Sequence, residues 1–244
     1  MLKPVAVVSC HVERPLDDDC WAAFSTFQAS RPGGFRIAAL IRPPDERTGE
    51  DPRVWLERAR IAAAGGPLGH HTHFVRPDHA RPATQAPEHA DRVRREASWL
   101  RGHGIEPRFF CGGGWYMDGS VAAVLAELGY ADCTATAFRP AYLAERVPHL
   151  AAERPAWLVL ADGRRLLELP STHSLGMAAR AAFGRLPDYV HVYFHDTDLL
   201  SRRRQTALRA ALAVLGRRRA GSDLDRLREM SVNAPEQDFT LAAA

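Results

Sequence analysis

Short apolar, β-branched runs alternate along this chain with longer amphipathic stretches. That alternation restricts it to an α/β fold built on a mainly parallel sheet. Val5 to Ser9 reads as a buried strand, and so do Arg36 to Ile41, Pro67 to His71, Pro107 to Cys111, Tyr130 to Thr136 and Tyr189 to Phe194. Between them, an acid among Asp17 to Asp19 caps the helix entered at Trp21. Pro52 to Ala64 reads as a helix with its proline in the first turn. Glu88 to His103 reads as an Arg-rich helix ended by Gly104. Gly119 to Leu128 follows the cap Asp118 and is closed by Gly129, and Leu199 to Leu215 reads as a long helix. Asp162-Gly163, between Trp157–Leu160 and Leu166–Leu169, predicts a hairpin. After Gly221 a short helix and an irregular end are expected. No repeat or linker interrupts the pattern, so residues 1–244 read as one domain, a length that α/β barrels commonly reach.

In parallel α/β folds, functional groups gather at the carboxyl ends of the strands. Four such ends here carry chemistry: Ser9-Cys10-His11-Val12-Glu13, Gly69-His70-His71-Thr72-His73, Phe110-Cys111-Gly112-Gly113-Gly114-Trp115 and Tyr193-Phe194-His195-Asp196. On an extended chain His71 and His73 share a face and both could ligate one ion, while His70 points the other way. The alternative for the tract is a hydrogen-bonded or solvated histidine cluster. Gly112 to Gly114 reads as a loop needing close backbone approach. A phosphate-binding role is disfavoured there because no Lys-Ser/Thr follows.

The wording of these segments resembles the polysaccharide deacetylases, carbohydrate esterase family 4. Pro107-Arg-Phe-Phe-Cys-Gly-Gly-Gly-Trp115 resembles the family's Pro-x-x-Phe-Arg-Ala-Gly-x-Trp segment. Leu128-Gly129-Tyr130-Ala131-Asp132, Leu167-Glu168-Leu169-Pro170 and His191-Val192-Tyr193-Phe194-His195-Asp196 resemble later motifs. The resemblance covers most of residues 4 to 205. It implies a distorted (β/α)7 barrel and metal-assisted removal of an acyl group, usually acetyl, from an amino sugar. It implies Glu13, His71 and His73 as metal ligands and His195 as the acid that protonates the leaving amine. Asp132 and Glu168 are candidates to orient His195 or a ligand imidazole, with caps or salt bridges as the other reading. Trp115 and Tyr116 are candidates to stack on a sugar ring, and His173 to line the cleft; core packing and an idle loop histidine are the alternatives.

Two departures accompany the match. Relatives carry an aspartate base where this chain has His11, and an arginine steadying that base where it has Cys111. An arginine beside an imidazole base would disfavour its protonation, so the two losses are mutually consistent. They make His11 the base or a fourth ligand, or else signal a retuned or inactive site. Val75 stands where relatives often place the second histidine; His73 substitutes, and His70 or His79 could complete the sphere.

The remaining sequence narrows the partners. Lys3 is the only lysine, and the net charge is +3. Arg202 to Arg204 and Arg217 to Arg219 lack interleaved aromatics, which favours a solvated face over a nucleic-acid patch. The four cysteines have no paired spacing and suit reduced thiols, and no run reaches the length of a membrane span. The first apolar run is too brief for a signal peptide, so a cytoplasmic protein is expected. The expected substrate is a small soluble N-acylated amino sugar or glycosylated natural-product intermediate. The expected cofactor is a divalent metal, with zinc ahead of cobalt, nickel, manganese or iron. The alternatives from other classes are an isomerase, epimerase or lyase using His11 and His195 as acid and base, and a non-catalytic carbohydrate-binding protein. The oligomeric state is open.

Overall fold

The computed structural model describes residues 4–76, 81–143, 147, 149–181 and 184–240. In chain order the elements are β1 (Val5–Val12), α1 (Asp18–Ala29), β2 (Ala38–Ile41), α2 (Pro52–Gly65), β3 (Leu68–Thr72), α3 (Glu88–Gly102), β4 (Phe109–Gly112), α4 (Gly119–Leu128), β5 (Ala131–Asp132), β6 (Ala156–Val159), β7 (Arg165–Glu168), β8 (His173–Ser174), α5 (Leu175–Ala181), β9 (Tyr189–His195), α6 (Arg202–Arg218), β10 (Ala220–Gly221), α7 (Leu224–Met230) and β11 (Glu236–Asp238). Strands run in the order β11-β6-β7-β5-β4-β3-β2-β1-β9-β8, with β10 also on β1. Every pairing is parallel except the β6–β7 hairpin. This is the mainly parallel, distorted (β/α)7 barrel. Its hydrogen-bond path does not close. The seam falls between β7 and β8, where the chain from Leu169 to Thr172 passes from β5 (Leu169 N to Asp132 O, 2.7 Å) to β9 (Thr172 N to His191 O, 3.0 Å).

Strand parity sorts the side chains. Val5, Val7, Ala38, Leu40, Phe109, Cys111, Ala131, Cys133, Leu167, Leu169, Tyr189 and Tyr193 pack together as the barrel interior. Their neighbours Ala6, Val8, Cys10, Val12, Ala39, Ile41, Val190, Val192 and Phe194 pack outward against the helices. Both faces of β1 are therefore buried along its whole length, as parallel strands require.

Local signals account for the helices. Asp17 accepts from Cys20 N at 2.9 Å and starts α1. Asp51 caps α2, with Pro52 at its first position. Asp118 accepts from Val121 N at 2.8 Å, and Gly129 closes α4 in the left-handed region.

Several boundaries differ from the sequence reading. The last long helix begins at Arg202 rather than Leu199, because Asp196–Leu200 forms a 3-10 turn and Ser201 is the N-cap of α6. The strand expected over Tyr130–Thr136 shrinks to Ala131–Asp132 plus bridges at Thr136. The C-terminal segment is not wholly irregular, since β11 pairs with β6. β8 and α5 had no counterpart in the sequence reading. Positions 77–80, and with them the candidate His79, lie outside the described residues.

One outward-facing group on β3 predicts acid sensitivity. His70 Nε2 meets Glu96 Oε2 at 2.8 Å, and Arg92 Nε donates to Glu96 Oε1 at 2.7 Å. Burial disfavours the charged form of Glu96, yet His70 and Arg92 hold its carboxyl at about 2. A carboxyl depressed from the ordinary value near 4.3 contributes stability above that value and loses it as pH falls towards 2. The expected contribution is roughly 3 kcal/mol. Urea unfolding midpoints at successive acidic pH values should fall less steeply for Glu96→Gln than for the parent.

Candidate metal centre

The odd-numbered, inward positions continue past the apolar interior into a cluster of acids and imidazoles. On β1 they are Ser9, His11 and then Glu13 just beyond the strand; on β3, His71 and then His73; on β4, Cys111; on β9, His191, Tyr193 and His195. Pairing sets these side by side, because His11 is in register with His195 and His71 with Cys111.

At the mouth, Glu13 Oε1 faces three ring nitrogens: His195 Nε2 at 3.6 Å, His73 Nε2 at 3.7 Å and His71 Nε2 at 3.8 Å. Those gaps exceed hydrogen-bond length. The ligand atoms of Glu13, His71 and His73 all lie within 4.8 Å of one another. Glu13, His71 and His73 are buried, while the side chain of His195 is 35% exposed on the rim. The Nδ1–H of His71 donates to the Cys111 carbonyl at 2.8 Å, which assigns the lone pair to Nε2. That Nε2 is buried and has no hydrogen-bond partner. A carboxylate and imidazoles converging on one point, with a buried acceptor nitrogen left over, fit a divalent transition metal.

The electrostatics are uneven. Burial alone would raise the Glu13 carboxyl, but the imidazoles of His71, His195 and His73 around it bring it to about 2. Burial, reinforced by His71, His195, His191 and His73, pushes His11 well below the ordinary imidazole range, so it is neutral. His195 goes the other way: burial lowers it, but Asp198 and Glu13 outweigh that and raise it. Asp198 Oδ2 accepts from the His195 backbone N at 3.0 Å and lies 3.8 Å from its Nδ1; Arg204 holds the other oxygen at 2.9 Å. Asp196 ties the ends of β9 and β1 together by accepting from Arg14 N at 2.8 Å.

His11 forms the floor. Its ring centre lies 4.8 Å from His71, 5.2 Å from His195, 5.3 Å from Tyr193 and 5.4 Å from Trp115. Its Nε2 is 3.7 Å from Cys111 Sγ.

The glycine run after β4 permits close backbone approach. Gly114 has φ +67°, and a Cβ there would meet the Arg81 carbonyl oxygen at 2.2 Å. A Cβ on Gly113 would sit 2.9 Å from His73 Cδ2. The run is thus a packing device against His73. Gly114→Ala combines left-handed strain with overpacking, and is expected to cost about 3 kcal/mol or more. A lowered urea midpoint at unchanged m-value would show it.

Other sequence candidates sit elsewhere. His70 faces outward to Glu96 and Thr72, so it does not complete the sphere. Tyr116 also faces outward: it is 2% exposed, packs on Phe74 and His89 and donates to Asp118, leaving no face for a sugar. Trp115 stays at the site but as a buried wall against Tyr193 and His11. His173 bonds Thr172 Oγ1 at 2.8 Å and lines a cavity of about 10 Å³ with Ala178, Leu186 and Val192, on the outer side of the barrel. Asp132 and Glu168, both at even positions, face outward and pair with each other across β5 and β7. Asp132 accepts from Thr134 at 2.7 Å and Glu168 from Ala135 N at 3.2 Å. Burial and the neighbouring Asp132 raise Glu168 far above the usual carboxyl range. The carboxylate beside His195 is therefore Asp198. The sequence reading passed over it, although its spacing three residues after His195 was a usable signal.

No protein-family model and no curated protein matches the chain. Among solved structures it is similar to the 4-alpha-glucanotransferase from Thermococcus litoralis, with TM-score 0.62 and 10% identity. That match covers 98% of this chain, which spans only 40% of the glucanotransferase. It is also similar to a family 4 carbohydrate esterase pseudoenzyme from Bacillus anthracis, with TM-score 0.56 and 7% identity over 98% of this chain and 70% of that one. A mutant of that pseudoenzyme with restored enzymatic activity gives TM-score 0.56 and 7% identity over 92% and 67%. At these identities the likeness is one of fold.

Proposed function

We propose that the protein is a metal-dependent amide hydrolase that removes an N-acyl group, foremost acetyl, from a small amino sugar or glycosylated intermediate. The observation carrying this reading is the convergence of Glu13, His71 and His73 at the barrel mouth with His195 on its rim. Glu13, His71 and His73 would hold the ion. A divalent ion there supplies Lewis acidity to the acyl carbonyl and acidifies water. His11, kept neutral by burial, accepts the proton of the attacking water. His195, whose hold on its proton is strengthened by Asp198 and Glu13, gives a proton to the departing nitrogen. Trp115 and Tyr193 wall the floor and exclude bulk water from beneath the reacting carbonyl.

A second reading has one observation in its favour: a neutral His11 and a proton-holding His195 with ring centres 5.2 Å apart are also an acid/base pair for an isomerase. Incubation with N-acetylglucosamine and assay of free acetate separates the two, since only hydrolysis releases acetate. Acetate release that requires added zinc or cobalt supports the hydrolase. Turnover of the sugar without acetate supports the isomerase.

A further inference from the structure

One layer below the mouth, a second group of ligand atoms shares a member with the first. His11, His71 and Cys111 each present one donor atom, all within 4.8 Å of one another, and all three residues are buried. Cys111 Sγ lies 3.7 Å from His11 Nε2. Because the Cys111 carbonyl occupies His71 Nδ1, Nε2 is the atom that His71 offers to both groups, and it has no hydrogen-bond partner. The upper group contributes a carboxylate and two imidazoles. The lower group contributes a thiol sulfur and two imidazoles, a set that prefers soft ions.

We infer that His11, His71 and Cys111 form a second metal position for thiophilic ions such as cadmium or copper(I), exclusive of the upper one because both use His71 Nε2. This rests on the reading of Glu13, His71 and His73 as a metal site. Ligation replaces the thiol proton of Cys111 by the ion, and the proton leaves to solvent. An ion in the lower position also takes His11 and His71 out of service, so thiophilic metals should inhibit where harder ones activate.

Cobalt(II) added to the apoprotein tests this without any substrate. The expected spectrum contains a near-ultraviolet thiolate-to-cobalt charge-transfer band, together with the weaker visible d–d bands of a bound ion. Cys111→Ser should lose the charge-transfer band and keep the visible ones, because the upper group remains. Glu13→Ala should keep the charge-transfer band, because the lower group is intact; this arm stands if the serine variant does not fold. Cobalt retained with visible bands but no charge-transfer band in the parent overturns the inference alone. So does a charge-transfer band that survives Cys111→Ser or disappears in Glu13→Ala. No cobalt retained by the parent after desalting overturns the metal reading itself.

Discussion

Glu13→Ala is expected to cut zinc- or cobalt-dependent acetate release about 10³-fold or more, because a metal's several kcal/mol of transition-state stabilisation goes with the ion. Glu13 is the sole carboxylate of the upper ligand group and the point that His71, His73 and His195 all face. Removing it leaves adjacent imidazoles with no anion to balance a divalent charge. Metal analysis of the purified variant checks the first part, and acetate assay the second. A variant that folds, binds a full equivalent of zinc at the mouth and still releases acetate would remove Glu13 from the site.

His195→Ala should lower acetate release by about 10²–10⁴-fold, the usual worth of a positioned proton donor, while metal content stays near that of the parent. Asp198→Asn tests the same role through pH. The donor must be protonated, so the rate falls as pH rises through its pKa. Asp198 raises that pKa. Replacing its charge should therefore move the alkaline limb of the pH–rate profile towards lower pH, with the acid limb unmoved. An alkaline limb that stays in place in Asp198→Asn would show that His195 is not the group reporting there.

How much of this was legible in the chain depends on which physical signal each residue carried. Apolar runs placed β1, β2, β4 and β9, because a strand buried on both faces needs a continuous apolar stretch. The polar end of β1 escaped: His11 broke the apolar run, yet its backbone still pairs with His195. Parity predicted that His70 and His71 would part company, and they do, one towards Glu96 and the other towards Glu13. The same rule applied to Asp132 and Glu168 would have turned them away from the cleft; adjacency in motifs drew attention to them instead. Asp198 lies in a 3-10 turn that the reading did not assign, just ahead of the helix expected from Leu199. Strands of two or three residues, such as β8 and β11, are too short to show any periodicity.

The aim of His71 has an unusual source. The acceptor that fixes its ring is a main-chain oxygen, that of Cys111, and a peptide oxygen neither titrates in the working pH range nor changes identity when the residue bearing it is replaced. A change of side chain at position 111 therefore leaves that acceptor in place, and the ring above it keeps its tautomer. Tuning which element the cavity prefers is thereby separated from keeping the cavity in shape.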